Sequence, residues 1–406
     1  MNQSYCSLAW VGVTTDPDGS LRPCCVSDDK ITKDDGTLYN LGVDKLEDIY
    51  NSNFYKNLRQ NMLEGKLISG CDTCYSNEKY GRESRRLINN SVFANQEFTD
   101  THAEVKIQYL DMRLGNQCNL KCRMCSPMNS SMIEDEFEHN PDPVLDRFYL
   151  KSEISFKDWF ETETFDNNIN PHLSNLVTLY MTGGEPTLIK KNYDLMQRLI
   201  DNGQNEKLTL IINTNMTNTN PKFYDLLKRF NKVIIQMSID AIDDLATYIR
   251  YPTDFSVVDK TIKDMLALGN NITLRAGPVI QTLNLNKLVD LFEYCENFNR
   301  QYKRQVIDIR PGFVFLPAHN DIMYLPKQYK IDCYRKIYMW MLEKCKYQST
   351  QFKNTINSLK NKCYEDSLDE SKIKDFLAFN TALDNIRNMR LQDYNKELYD
   401  AIKIYE

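Results

Sequence analysis

The sequence predicts an α/β protein in which a parallel sheet follows a cysteine-rich segment and precedes a group of helices. Between residues 105 and 316, apolar runs typical of strands alternate with amphipathic helical patterns. Strands that alternate with helices form parallel sheets with right-handed crossovers. Eight of the 12 cysteines lie within the first 125 residues, and residues 327–406 carry apolar side chains at helical spacing.

The composition is that of a globular protein and excludes several classes. Of the 406 residues, 26% are charged and 42% hydrophobic, and no apolar run is long enough to span a membrane. A net charge of −6 argues against a broad nucleic-acid-binding face. The first ten residues lack the pattern of a signal peptide, so we expect a cytoplasmic location. In a reducing compartment, dense cysteines bind metal more often than they form disulfides.

The predicted sheet contains six strands, and its connections are helical. The strands are predicted at 105–113, 176–182, 208–213, 233–239, 272–280 and 306–316, and the intervening helices at 192–201, 221–230, 256–268 and 286–298. In sheets of this kind, ligands bind beyond the carboxyl ends of the strands.

The loop after the first predicted strand carries the clearest chemical signal. Cys118, Cys122 and Cys125 have the spacing C-x3-C-x2-C. Three thiolates hold three irons of a [4Fe–4S] cube, whose usual complement is four cysteines, and so leave one iron open for chemistry. Zinc would need a fourth ligand nearby, and His102 and His139 do not have finger-like spacing.

This cysteine loop resembles the signature of the radical S-adenosylmethionine (radical SAM) superfamily. The resemblance implies a partial (β/α)6 barrel and S-adenosylmethionine (SAM) bound to the open iron. An electron from the cluster then cleaves SAM to a 5′-deoxyadenosyl radical. One departure is Met124, where the family usually has an aromatic residue that packs on the adenine; a polarisable thioether can pack there as well.

The second predicted strand ends in Gly183-Gly184-Glu185-Pro186. Adjacent glycines allow close approach of a ligand to the backbone, and the glutamate offers an acceptor to an ammonium group. An isolated sequence of this kind is more often a simple turn. After the cysteine loop, it resembles the GGE motif that holds the SAM amino group in the family.

Polar residues also end the third and fourth predicted strands, namely Asn215, Ser238 and Asp240. The resemblance implies that they contact the SAM ribose and carboxylate. The alternative is that they cap helix N-termini. Arg250 is a weaker candidate for pairing with the SAM carboxylate, and a solvated arginine is an equal alternative.

The N-terminal residues contain a second group of cysteines. Residues 10–22 are predicted to form a hairpin with Pro-Asp-Gly at its turn, which brings Cys6 close to Cys24. Cys71 and Cys74 lie on a predicted turn after the helical run 46–63. The two pairs together make a four-cysteine site, with Cys25 as a packing neighbour or an alternative ligand.

This segment resembles the SPASM and twitch auxiliary-cluster modules of radical SAM enzymes. Gly19 and Cys24 fit the G-x4-C element of those modules, and the cysteine count fits the one-cluster twitch form. The resemblance implies a second, fully ligated [4Fe–4S] cluster. Such modules usually follow the barrel, whereas this one precedes it. A structural zinc site on the same cysteines is the alternative.

The predicted domains are a twitch-like auxiliary domain at 1–104, a radical SAM barrel at 105–330 and a C-terminal helical extension at 331–406. An acidic and aromatic insertion at 129–175 leaves the catalytic face, as a lid or as a solvated helical excursion.

The predicted function is a radical SAM enzyme that abstracts hydrogen from a peptide or protein side chain. An electron donor such as flavodoxin or ferredoxin is expected as a partner. The alternatives are a small-molecule, sugar-like radical SAM dehydrogenase and a non-catalytic zinc-binding interaction protein.

Overall fold

The computed structural model describes residues 3–79, 81, 83–149, 158–314 and 316–406. Within these ranges, no helix combines the length and apolar character needed to cross a membrane. The chain divides into two compact units. Unit 1 comprises residues 1–117, 153–213 and 220–234; unit 2 comprises 118–152, 214–219 and 235–406.

Short strands and longer helices alternate along the chain. The strands are β1 (Gly12–Thr15), β2 (Leu21–Arg22), β3 (Tyr109–Arg113), β4 (Lys121–Cys122), β5 (Thr178–Thr182), β6 (Thr209–Thr214), β7 (Lys232–Met237), β8 (Arg250–Tyr251), β9 (Ile272–Ala276), β10 (Val279–Ile280), β11 (Ile307–Ile309) and β12 (Gly312–Phe313). The helices are α1 (Leu8–Val11), α2 (Leu46–Tyr50), α3 (Asn53–Leu63), α4 (Asp72–Lys79), α5 (Arg85–Val92), α6 (Ser131–His139), α7 (Glu163–Ile169), α8 (Lys190–Asp201), α9 (Pro221–Lys228), α10 (Asp243–Ile249), α11 (Phe255–Leu268), α12 (Leu288–Tyr302), α13 (Lys327–Glu343), α14 (Thr350–Tyr364), α15 (Glu370–Arg387), α16 (Leu391–Tyr394) and α17 (Lys396–Ile402).

In unit 1 the strands lie in the order β2-β1-β3-β5-β6, and every pair except β1–β2 is parallel. The predicted hairpin at 10–22 is confirmed, because Thr14 pairs with Arg22 and Thr15 with Leu21. Gly19 closes its turn at φ +82°, a conformation that favours glycine. Since β1 also pairs with β3, the cysteine-rich segment extends the parallel sheet.

Unit 2 contains the parallel pairs β9–β11 and β10–β12 and the antiparallel pair β4–β8. In unit 2, α6 and residues 145–149 of the insertion pack against the C-terminal helix α15 in a buried cluster. Phe137, Tyr149 and Phe379 form edge-to-face contacts there. Residues 131–149 of the insertion therefore pack within unit 2, residues 158–175 belong to unit 1, and residues 150–157 lie outside the described ranges, so the lid predicted for 129–175 stays a prediction.

The predicted α/β class is confirmed, and the element boundaries differ for identifiable reasons. The strands predicted at 272–280 and 306–316 are each divided in two, at Pro278 and Pro311, because proline cannot donate to a sheet ladder. The helical run 46–63 is also divided, at Ser52, whose hydroxyl caps α3 through Tyr55 N. The domain boundaries at 104 and 330 stay predictions.

Candidate functional site

The cysteine loop begins a few residues after β3 and is held by hydrogen bonds within unit 2. Its short strand β4 pairs with β8, and Arg123 N donates to Ile249 O. Ser130 accepts from Ile133 N at the start of α6 and donates to Leu120 O at 2.6 Å. Cys118 N donates to Ser131 Oγ at 3.2 Å. The loop is thus anchored on both sides before any ligand is present.

The three thiols of this loop are close enough to influence one another. Burial, with smaller contributions from Cys122 and Cys118, raises the pKa of Cys125 to about 12. Burial also raises the pKa of Cys122, whereas the nearby Arg250 guanidinium lowers it. Bound iron supplies positive charge that offsets these effects and holds thiols as thiolates. The donor set therefore fits a cluster with one open iron.

Asp240 and Arg250 form a buried pair beside Cys122. Arg250 Nε donates to Asp240 Oδ2 at 2.7 Å, and Arg250 Nη1 donates to Cys122 Sγ at 3.6 Å. The second carboxylate oxygen of Asp240 accepts from Val279 N. Both oxygens thus already have protein donors, and the predicted contact of Asp240 with SAM stays a prediction.

Asn215 connects the loop after β6 to the cysteine loop. Its Nδ2 donates to Asn119 Oδ1 at 2.8 Å, and its Oδ1 accepts from the backbone and the hydroxyl of Thr217. Ser238 lines a narrow cleft together with Asn215, Asp240 and Arg250. The structure therefore brings the three predicted strand-end residues together within unit 2, but their SAM contacts remain untested.

The Gly-Gly-Glu sequence lies in unit 1, directly after β5. A Cβ on Gly184 would approach Gln117 O to 2.2 Å, and Gly183 has φ +120°. Glu185 N donates to Gln117 O at 2.7 Å. The buried Glu185 side chain caps the next turn by accepting from Thr187 N and Thr187 Oγ1. The glycines are thus required by the close approach of two backbones.

The sequence reasoning missed the residue that fixes the cysteine loop. Arg123 is fully buried and lies 3.6 Å from the ring centre of Tyr248. It donates to Tyr248 O, to Asn380 and to the carboxylate of Asp384. Glu136 bridges Lys121 and Arg387 in a second buried network. No periodic signal marks these contacts, because the partners are far apart along the chain and Asp384, Glu136 and Arg387 are charged residues in amphipathic helices.

The four cysteines predicted to form the auxiliary site all lie in unit 1. Burial raises the pKa of Cys6 to about 12, with added contributions from Cys71 and Cys74. Burial raises the pKa of Cys71 to about 11, and Cys74 contributes to the shift. The pKa of Cys24 is also raised by burial and then by Cys25, Cys6 and Cys74. The four thiols therefore form one connected group, in which each lies near at least two of the others.

The elements that carry these cysteines differ in part from the expectation. Cys6 precedes α1 and Cys24 follows β2, as the hairpin predicts. Cys71 ends a short 3-10 turn, but Cys74 lies inside α4 rather than on a turn. Among the residues described, no three His, Cys, Asp or Glu side chains converge on a single metal ion. In a cubane cluster each thiolate binds a different iron, so its ligands need not converge in that way.

Cys25 has different surroundings from the other N-terminal cysteines. Its pKa is raised by burial, and Arg85 and Asp111 are the next groups to affect it. Among the thiols, Cys25 has the largest charge effect on Cys24, so the choice of Cys24 as the ligand stays a prediction.

Two protein families match this chain. The radical SAM superfamily matches residues 112–295, and the SPASM iron–sulfur cluster-binding domain matches residues 6–75. Together they cover more than half of the chain and include all seven cysteines of the two groups. The chain therefore carries a radical SAM domain, preceded by a SPASM iron–sulfur cluster-binding domain.

Several characterised proteins are similar over part of their length. The radical SAM cyclopropyl synthase TigE of Paramaledivibacter caminithermalis is 24% identical over 281 residues, which are 66% of this chain and 54% of TigE. The GTP 3′,8-cyclase of Nautilia profundicola is 27% identical over 199 residues, which are 48% of this chain and 54% of the cyclase. The chain thus spans about half the length of these relatives.

Solved structures are more distant. Streptococcus suis SuiB bound to the precursor peptide SuiA aligns with a TM-score of 0.37 and 13% identity over 78% of this chain and 58% of SuiB.

The two family matches confirm the predicted cofactors. A radical SAM domain implies a [4Fe–4S] cluster and SAM, and a SPASM domain implies auxiliary iron–sulfur clusters. The one-cluster twitch form and the individual site residues remain predictions.

Proposed function

We propose that this protein is a radical SAM enzyme that abstracts a hydrogen atom from a peptide or protein side chain. The observation that carries the proposal is the anchored loop with three neighbouring thiols, within the segment that matches the radical SAM superfamily. When bound, the cluster and SAM supply a 5′-deoxyadenosyl radical, and the chain holds and shields them.

The chain's own residues have separable tasks in this proposal. Cys118, Cys122 and Cys125 hold three irons. Arg250 donates to Cys122 Sγ, and hydrogen bonds to cluster sulfurs are among the factors that set a reduction potential. Arg123 keeps the loop fixed through its buried contacts with the C-terminal helices.

The other predicted site residues bind SAM in this proposal. Glu185 accepts from the SAM amino group, and the glycines before it allow the close approach. Asn215, Ser238 and Asp240 contact the ribose and carboxylate. Their grouping around one cleft in unit 2 supports this assignment for the last three.

The auxiliary cysteines Cys6, Cys24, Cys71 and Cys74 hold a second cluster that positions substrate or passes an electron. A one-electron donor such as flavodoxin or ferredoxin reduces the enzyme. The expected location is the cytoplasm, where cysteines stay reduced and can bind iron.

A small-molecule substrate is the second candidate, favoured by the sequence similarity to the GTP 3′,8-cyclase. The test compares two fully deuterated pools, one of peptides and one of small metabolites, each incubated anaerobically with the enzyme, SAM and dithionite. Deuterium in 5′-deoxyadenosine from the peptide pool alone supports the proposal. Deuterium from the metabolite pool alone favours the second candidate, and a lack of 5′-deoxyadenosine contradicts both.

A further inference from the structure

One face of the unit 1 sheet is polar although it is buried. Tyr109, Asp111 and Arg113 alternate along β3, and the register places Thr14 of β1 and Tyr180 of β5 level with Asp111. The opposite face carries the buried apolar residues Val13, Leu110, Met112, Leu179 and Met181. Burying polar groups costs free energy unless they form hydrogen bonds, so buried polar groups normally have hydrogen-bond partners.

Several groups on this face lack partners within the described part of the chain. Asp111 is fully buried, and neither carboxylate oxygen makes a hydrogen bond; the same holds for the Thr14 and Tyr109 hydroxyls. The Cys25 thiol approaches Asp111, but sulfur is a weak donor and the contact does not reach hydrogen-bond geometry. Burial raises the pKa of Asp111, while Arg113 and Arg85 oppose the shift.

Arg85 covers this face from α5. Its guanidinium lies 5.3 Å from the ring centre of Tyr180, and among the described residues it makes neither an ion pair nor a side-chain hydrogen bond. Arg85 and Cys25 are surrounded by protein, yet both remain partly accessible to solvent. Solvent therefore reaches one side of each of these two side chains, so a ligand can approach them from that side.

The cations beside this face other than Arg85 have carboxylate partners. Asp16 is shared by Arg22 at 2.6 Å, Arg113 at 3.3 Å and Lys30 at 3.4 Å, and Lys30 also lies 3.8 Å from Asp18. Arg85 has no paired carboxylate of its own in the ranges described. An unpaired guanidinium in a partly desolvated pocket favours a carboxylate ligand, which it can bind through two parallel hydrogen bonds.

We propose that Cys25, Arg85 and Asp111 form a substrate pocket in which Arg85 binds a carboxylate of the substrate. In its protonated form, which burial favours by raising its pKa, Asp111 donates a hydrogen bond to the bound carboxylate, and the Cys25 thiol lies beside it. The inference rests on the proposed function for the identity of the ligand as a substrate. The carboxylate belongs to an acidic side chain or to a peptide C-terminus, which share this chemistry.

Alkylation of Cys25 tests the pocket without knowledge of the substrate. The anaerobically purified holoprotein is treated with iodoacetate or iodoacetamide, and mass spectrometry gives the alkylation rate at Cys25. Both reagents attack the thiolate, so the ratio of their rates does not depend on the thiolate fraction. We expect the iodoacetate-to-iodoacetamide ratio to exceed that of glutathione by about tenfold, the value of a weak charge-assisted hydrogen bond.

Substitutions of arginine residues test whether Arg85 causes the preference of Cys25 for iodoacetate. Arg85→Gln should return the ratio to the glutathione value, and Arg85→Lys should retain part of the preference because it keeps the charge. Arg198→Gln, on α8 and paired with Asp166 at 3.0 Å, is the matched control and should leave the ratio unchanged. An unchanged ratio in Arg85→Gln, or no alkylation of Cys25 by either reagent, overturns the proposal.

Protection experiments distinguish the two carboxylate sources. N-acetylglutamate α-amide carries only a side-chain carboxylate, and N-acetylglutamine carries only a terminal one. Slower iodoacetate alkylation with the first indicates an acidic side chain, and with the second a C-terminus. Equal alkylation with either compound and with neutral N-acetylglutamine amide contradicts the proposal. Since alkylation requires no reductant, this outcome is independent of whether the enzyme cleaves SAM.

Discussion

The guanidinium of Arg123, between two cysteines of the cluster loop, forms a buried ion pair with the carboxylate of Asp384, 261 residues further along the chain. Asp384 also accepts from the Tyr248 hydroxyl and from Leu391 N. The C-terminal helices are therefore part of the structure that fixes the loop. Breaking a buried pair leaves an uncompensated charge, which costs more than the pair contributes.

Asp384→Asn should lower the free energy of unfolding by about 3–5 kcal/mol, since it leaves Arg123 buried without its counterion. Urea unfolding measures the change. Arg147→Ala is the matched control, because Arg147 pairs with Asp375 of the same helix α15 at 3.7 Å but is 57% exposed. That exposed pair should contribute less than about 1 kcal/mol. Equal effects of the two variants would show that the buried pair has no special importance.

His319 should make stability depend on pH. It lies 4.7 Å from the rings of both Phe148 and Phe379, and burial lowers its pKa to about 4. Because its unfolded pKa is near 6.5, the unfolded chain binds more protons between pH 6.5 and 4. The free energy of unfolding should therefore fall by about 3 kcal/mol as pH decreases through this window.

Comparison with His319→Phe isolates this contribution, because the carboxylates titrate alike in both proteins. The variant should lose less stability than the wild type between pH 6.5 and 4. The exposed His139 provides the control, and His139→Gln should follow the wild-type curve. Parallel curves for wild type and His319→Phe would contradict the assignment.

Glu185→Gln separates SAM binding from capping. A glutamine oxygen can still accept from Thr187 N and Thr187 Oγ1, so the turn should persist. The variant lacks the charge proposed to hold the SAM amino group, and charge-assisted hydrogen bonds contribute roughly 1.5–3 kcal/mol. We expect SAM affinity by calorimetry to fall about ten- to a hundredfold at unchanged iron content. Unchanged affinity would mean that Glu185 serves only the turn.

Replacing Cys118, Cys122 and Cys125 together with alanine should remove about four irons per chain and abolish SAM cleavage. The thiols of this loop influence one another and are held on one anchored segment, so no other described cysteine can replace them. Iron analysis and detection of 5′-deoxyadenosine with dithionite give the result. A triple variant that still forms 5′-deoxyadenosine falsifies the assignment. Cys295→Ala, at a buried cysteine of α12, is the control.

Local patterns predicted the strands and the positions of the cysteine loop and Gly-Gly-Glu, because strand periodicity and turn residues are properties of neighbouring residues. They could not predict Arg123–Asp384 or Glu136–Arg387. A charged residue in an amphipathic helix normally faces solvent, and only the folded chain shows which charge has a buried partner. The alternation of Tyr109, Asp111 and Arg113 in β3 was a usable signal for the polar face.

The auxiliary site gives the last prediction. If Cys6, Cys24, Cys71 and Cys74 bind one fully ligated cluster, the wild type should contain about eight irons per chain and the Cys71→Ala, Cys74→Ala double variant about four. The double variant should still cleave SAM without substrate but form no product. If Cys24 is the ligand, Cys25→Ala should retain all the iron, because the Cys25 thiol then faces Arg85 and Asp111. Stoichiometric zinc with only about four irons in anaerobically purified wild type would instead assign these cysteines to a structural zinc site, and the cluster loop at Cys118–Cys125 would be unaffected by that result.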